Sequence, residues 1–280
     1  MPRRSLVASL APVPCPAATL TVWASAWLAG VAAADDVLDA LAPWADGHDV
    51  LAGDEQARIV TGLPAAPEAA TSVAFLLAAI RRAAGGSSGP ARLVLPAPGD
   101  VRGLPGPGLF SSAATAAEQG VLLPEAGLGL VPSWAADGVL RWTVYGVSEA
   151  GPPAEHIPLT EAERGLRDQV RRSASVLTSL GVARHRPGVR EEIAATLRAR
   201  PSSLWPAGMP GQALRVLQHA DEVEAILAAA SADDPGGALG AAEARARADA
   251  LRPIVTAVRV ARRAAVAEAV HVLAGRAGRH

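Results

Sequence analysis

Two charged side chains in a stiff loop are the first place where this sequence has the means for chemistry. Asp100 and Arg102 stand two apart within LVLPAPGDVRGLPGPGLF, residues 93–110. Pro98, Pro105 and Pro107 fix φ there, while Gly99, Gly103, Gly106 and Gly108 admit positive φ. Such a loop has a defined path, and ordered loops often carry binding groups. A spacing of two does not share a helix face, but in a constrained loop both side chains can point to one side. A planar guanidinium matches a carboxylate or phosphate bidentately. Arg102 can therefore hold an anionic ligand, with Asp100 orienting it or accepting from a ligand donor. The competing reading is structural: Asp100 caps the turn through backbone N–H groups, and Arg102 pairs with it or with the sheet edge.

A second set of charges lies near the C-terminus. Ala244, Ala248, Leu251, Val255 and Val258 recur at spacings of four, three, four and three, a heptad-like seam. Arg245, Arg252 and Arg259 stand seven apart beside it, and Arg262 and Arg263 extend the basic face. That face is either the solvated side of a bundle helix or a docking surface for an acidic protein or nucleic acid. Glu243, Asp249 and Glu268 dilute the charge, and no aromatic residue is interleaved for stacking. Nucleic acid is thus the weaker of the two partners.

Other chemistries lack their residues. Gly85-Gly86-Ser87-Ser88-Gly89 spells G-x-S-x-G, but a helix precedes it and a strand follows. A nucleophilic serine needs the reverse order, strand then helix, to sit on a strained turn. Gly106-Pro107-Gly108 lacks the third glycine of a dinucleotide loop, with Ser111 in its place. There is no lysine, and so no P-loop lysine. The 6 histidines, His48, His156, His185, His219, His271 and His280, do not pair at metal-ligand spacing. Cys15, the single cysteine, excludes an intramolecular disulfide, a cysteine zinc cluster and a CxxC redox motif. The expectation is therefore no catalytic set, no metal and no cofactor. The function class read from this is a non-enzymatic interaction or regulatory protein with a protein partner. Its rivals are an enzyme or anion-binding protein using residues 96–108, and a nucleic-acid binder using the arginine face.

Periodicity gives the elements that must position these groups. Thr19 to Gly30 reads as a helix with Leu20, Trp23 and Trp27 on one face. Asp35-Asp36 opens a second, acids in its first turn. Residues 58–60 read as a short strand, and Ala69 to Ala84 as a helix stopped by Gly85. Leu93 to Leu95 is a strand feeding the loop, and a short alanine-rich helix ends at Gln119. Three β-like runs follow, at 121–123, 128–131 and 139–147, with 132–138 as a connection. Their short links favour antiparallel pairing.

Gly151 to Pro158 looks like a linker. Beyond it the pattern is helical, beginning with a capping box at Thr160 and Glu163, and Pro253 should kink or interrupt the last helix. The expected fold class is α+β. A small, mainly antiparallel sheet with helices occupies 1–150, of which 1–16 is an extended leader, and an all-helical bundle occupies 151–280.

Composition adds the compartment. The 280 residues are 50% hydrophobic but only 3% aromatic, so the core must be built from Ala, Leu and Val. The net charge of −1 exerts no global pull toward nucleic acid or an anionic membrane. Residues 1–150 hold 8 Arg against 13 acids, and 151–280 hold 18 against 14. The N-terminal stretch, with Arg3-Arg4 and Ala32-Ala33-Ala34, imitates a secretory signal. Pro12, Pro14 and Pro16 interrupt its apolar region. No later run is long and apolar enough to span a bilayer. A disulfide-free chain fits the reducing cytoplasm, so a cytoplasmic location is expected.

The runs TVWASAWLAG, DDVLDAL, ARLVLPAPGDVRGLPGPGLFSSAA and EARARADALRPIVTAVRVARRAAV give the chain a resemblance to a family. It resembles uncharacterised proteins encoded in GC-rich actinobacterial genomes, over most of its length and in the same order. The absence of both Lys and Asn, whose codons are AT-rich, agrees with that. The resemblance implies a cytoplasmic family and carries over no functional residue.

Overall fold

Pro16 sits in the first turn of helix α1 (Pro16–Leu28), where its missing N–H costs nothing. The computed structural model describes residues 15–85, 89–151, 156–179, 188–199, 205–232 and 241–277, without the side chains of 199, 231–232, 241–244 and 276–277. Residues 1–14 of the expected leader, 152–155 of the expected linker and 86–88 of the G-x-S-x-G string lie outside that set.

Helix α1 is apolar nearly all round, and Pro16 through Trp27 are buried, as such a helix must be. Its hydroxyls bond inside the helix, Thr21 to the Ala17 carbonyl at 2.6 Å and Ser25 to the Thr21 carbonyl at 2.7 Å. Leu20, Trp23 and Trp27 all face the core as expected. Helix α2 (Ala34–Leu41) opens where Asp36 accepts from the Ala33 N–H at 2.8 Å. A 3-10 turn (Ala42–Trp44) leads into β1 (Gly47–Ala52).

The strand expected at 58–60 is a helix. Asp54 accepts from Ala57 N–H at 2.7 Å and caps α3 (Glu55–Thr61), and Gly62, at φ 68°, ends it. Capping at both ends overrides the β preference of Ile59 and Val60, which point to solvent. β2 (Thr71–Ser72), α4 (Val73–Ala84), β3 (Arg92–Val94), α5 (Leu109–Ala117), β4 (Gly120–Leu123), β5 (Leu128–Ala136) and β6 (Val139–Gly146) follow.

The strands form one sheet in the order β2-β1-β6-β5-β4-β3. The sheet is mixed rather than purely antiparallel. β1 runs parallel to β6, with Asp49 opposite Arg141 and Val50 opposite Trp142, while the other neighbours are antiparallel. β1 begins at Gly47, shortly after Pro43, and was not legible as a strand; its partner lies about ninety residues on. β5 also runs longer than its sequence pattern, through Pro132 to Ala136. Its ladder with β4 ends at Leu130. Beyond that point it has one neighbour only, which is where a strand tolerates a proline.

Helix α5 covers one face of the sheet through Phe110. This ring packs among Val94, Leu122, Val131 and Val147. Gly129 makes room for it, since a Cβ there would lie 2.4 Å from the ring. Tyr145 tilts against it at 6.5 Å between ring centres. Leu128, Leu130, Leu140, Trp142 and Val144, alternating to the other face, are all fully buried.

The chain divides into two compact units, 15–156 with 202–210 and 266–280, and 157–201 with 211–265. The second unit is helical, built from α6 (Leu159–Ser179), α7 (Val189–Ala199), α8 (Gly211–Ala232) and the first part of α9 (Ala241–Ala277). Helix α9 runs through Pro253 without a break. The Ser173 hydroxyl of α6 donates to the Ala250 carbonyl at 2.8 Å, in the turn that Pro253 loosens.

Candidate functional site

In the Pro/Gly loop the two charges meet. Ala97 and Asp100 exchange backbone hydrogen bonds of 2.9 and 2.8 Å, closing a tight turn with Gly99 at φ 81°. The Arg102 guanidinium then grips Asp100 with two bonds, Nε to Oδ1 at 2.8 Å and Nη2 to Oδ2 at 3.0 Å. The Arg102 backbone N–H also donates to Oδ1 at 3.3 Å. The two residues are thus brought together, and an anion at Arg102 would have to compete with Asp100 for the same fork.

The C-terminal arginines do not form one exposed face. Arg245 and Arg252 are exposed, and Arg252 pairs with Asp249 at 3.0 Å. Arg259 and Arg263 are half-buried. Arg262 is only 5% exposed and points inward. Its guanidinium donates to both oxygens of Glu224 at 2.8 and 3.0 Å and to Asp221 at 2.6 Å on α8. The seven-residue spacing drifts round a 3.6-residue helix, and Arg262, three beyond Arg259, falls on the inner side. Leu251, Ile254 and Val258 form the buried seam, with Ile254 taking the place expected of Val255.

The C-terminal ends of the parallel strands β1 and β6 are closed by structure. Asp54 there caps α3 and also accepts from the Gly146 N–H at 3.1 and 3.0 Å. Gly146 lies so close to Gln56 that a Cβ would meet its side chain at 2.4 Å. Burial, with the Asp54 charge beside it, raises the Tyr145 pKa above its ordinary value.

An open concavity lies at the opposite ends of the same strands. It is a groove of about 740 Å³ lined by Trp44, Trp134, Asp46 and Asp137, with Pro43 and Gly138 between them. Two segments build it. The 3-10 turn and its link to β1 bring Trp44 and Asp46, and the β5–β6 hairpin brings Trp134 and Asp137. They are tied by the Gly47 N–H donating to the Gly138 carbonyl at 3.0 Å. Trp44 is held by its indole N–H, which donates to the Thr19 hydroxyl at 3.2 Å. A β-bulge between Trp134 and Ala136 bends the hairpin tip, and bulges re-aim side chains. Trp134 is left 55% exposed although its cross-strand partner Leu140 is buried. Gly138, at φ 71°, turns the chain there, and a Cβ would meet the Asp46 carboxylate at 2.7 Å.

Below the groove, on β1, His48 accepts from the Trp142 indole N–H at 3.4 Å. Its Nδ1 is the acceptor, so the neutral ring carries its proton on Nε2. Burial lowers the His48 pKa below its ordinary 6.5, and the Leu41 carbonyl offsets this only in part.

The groove was missed in the sequence, yet a signal was there. APWADG at 42–47 and VPSWAADG at 131–138 are near-copies, each a proline, a tryptophan, alanine and then Asp-Gly. The structure places the two side by side.

A family model described as Rv1486c-like protein, N-terminal domain, matches residues 17–156, and its C-terminal counterpart matches residues 160–263. The chain belongs to the Rv1486c-like family. It is 37% identical over 286 residues to the uncharacterized protein Rv1486c of Mycobacterium tuberculosis, covering 92% of this chain and 98% of the relative. It is 32% identical over 292 residues to an uncharacterized protein of Mycobacterium leprae, with the same coverage. The resemblance to actinobacterial proteins read from the sequence is therefore right. No solved structure matches the chain. Within the Rv1486c-like family architecture, the groove and the 96–108 loop both fall inside the N-terminal domain. Among the described residues, no helix is long and apolar enough to cross a membrane, and no group of His, Cys, Asp and Glu is placed to hold a metal.

Proposed function

We propose that the protein is a non-enzymatic interaction or regulatory protein that meets a protein partner through the tryptophan-lined groove. The observation that carries this is Trp134. It is a large aromatic side chain held half in water at a bulged hairpin tip. Tryptophan is the residue most enriched where partners bury a few anchoring side chains. Trp44 supplies a second, pre-positioned indole, which lowers the entropy cost of binding. The cytoplasm is the compartment that fits this reading, since a chain with a single cysteine forms no intramolecular disulfide.

The test uses the full chain in cells that express it naturally. A photo-crosslinking amino acid at Ala136, an exposed position in the groove, should give one discrete protein adduct. Adding Trp134→Ala should abolish it. No discrete adduct, or one indifferent to Trp134→Ala, overturns the proposal.

A further inference from the structure

We infer that the groove recognises the guanidinium of an arginine side chain in a basic segment of the partner. This rests on the interaction reading above and names the chemistry of the occupant. The argument is one of charge and shape. Asp46 and Asp137 are exposed carboxylates, and among the described residues neither forms a hydrogen bond or an ion pair. The lining holds no Arg, Lys or His to neutralise them. The indoles of Trp44 and Trp134 line the same groove, and an indole attracts a cation because its π-cloud is negative on its face.

An anion is repelled from such a surface. A neutral apolar group would cover two carboxylates and give them nothing in return for their lost water. A cation satisfies all four groups at once. Among cations, guanidinium fits best: it is planar, stacks on an indole, is weakly hydrated and forks onto a carboxylate, whereas ammonium is a strongly hydrated point charge.

The acids Glu55, Asp100 and Asp49 are each gripped by an arginine, Arg58, Arg102 and Arg141 respectively. Phe75 and Ile59 form exposed apolar surface. In the groove the exposed indole of Trp134 and the half-buried indole of Trp44 meet two exposed carboxylates. The near-copy of APWADG in VPSWAADG means each half brings one indole and one carboxylate to the groove lining.

The test is calorimetric titration of the full chain with hexa-arginine, hexa-lysine and hexa-citrulline peptides. Citrulline keeps the planar shape and loses the charge. Hexa-arginine should bind, hexa-lysine more weakly, and hexa-citrulline not at all. Trp134→Ala and the Asp46→Asn/Asp137→Asn pair should each weaken hexa-arginine about tenfold, within the range of a partly desolvated cation–π contact. Glu55→Gln, an acid outside the groove, should leave binding unchanged. All the groove positions changed are exposed, so thermal melting should confirm an intact fold. Equal binding of hexa-citrulline, or of hexa-lysine and hexa-arginine, overturns the inference. So does hexa-arginine binding that ignores the groove variants, or no binding at all. In that last case a crosslinked partner at Ala136 would still stand, so the two claims fail separately.

Discussion

His48 shows what one residue's setting does to its chemistry. Its ring is enclosed beside Trp142 and accepts the indole proton at 3.4 Å. The folded protein therefore prefers it neutral, and its pKa lies below the ordinary 6.5. Between those two values the unfolded chain binds the extra proton and the folded chain does not. Stability from this residue is full above pH 6.5 and is lost as the pH falls through the folded pKa. Thermal melts from pH 7.5 to 5.5 should show the melting temperature falling. His48→Gln should remove part of that slope. Parallel slopes in both proteins would refute the assignment. The same scale explains Asp100 and Arg102. A half-exposed pair of this kind contributes at most about 1 kcal/mol to stability.

Among the elements, helices α8 and α9 are joined by a charge that the basic pattern hides. Arg262 is buried with Glu224, each under a tenth exposed. Removing one partner of such a pair strands the other without water, which costs about 3–5 kcal/mol. Arg262→Ala should lower stability by that amount in chemical denaturation. Combining Arg262→Met with Glu224→Leu should recover most of it, because a packed apolar pair avoids the desolvation penalty. A loss below about 1 kcal/mol in the single variant would place Arg262 on the solvated face after all.

The whole molecule raises the question of how its two units relate to the sequence. The proline-rich stretch 151–158 predicts a first proteolytic cut there. Limited digestion followed by mass spectrometry should find a fragment ending between Gly151 and Pro158 before any cut inside 17–150. One protected core with no early cut in that window would defeat the two-domain reading. The compact units are not simple halves, since 202–210 and 266–280 group with 15–156.

Local signals settled much of this architecture. The apolar stripe of Leu20, Trp23 and Trp27, the acids opening α2, Gly85 closing α4 and the alternation of β6 each act within a few residues. Such signals can be read from a chain without knowing its neighbours. They sufficed for an α+β chain with a helical C-terminal region and for the family resemblance. What they could not reach was anything decided by distant partners. β1 is a strand because β6 lies beside it, and parallel pairing needs a long crossover that leaves no local trace. Residues 58–60 are helical because Asp54 and Gly62 cap them, against the preference of Ile59 and Val60. Arg262 is inside because acids on α8 await it. The groove exists because the Gly47 N–H meets the Gly138 carbonyl and sets two like-sequence turns together. The tryptophans and aspartates were visible in the sequence; their proximity is a property of the sheet order.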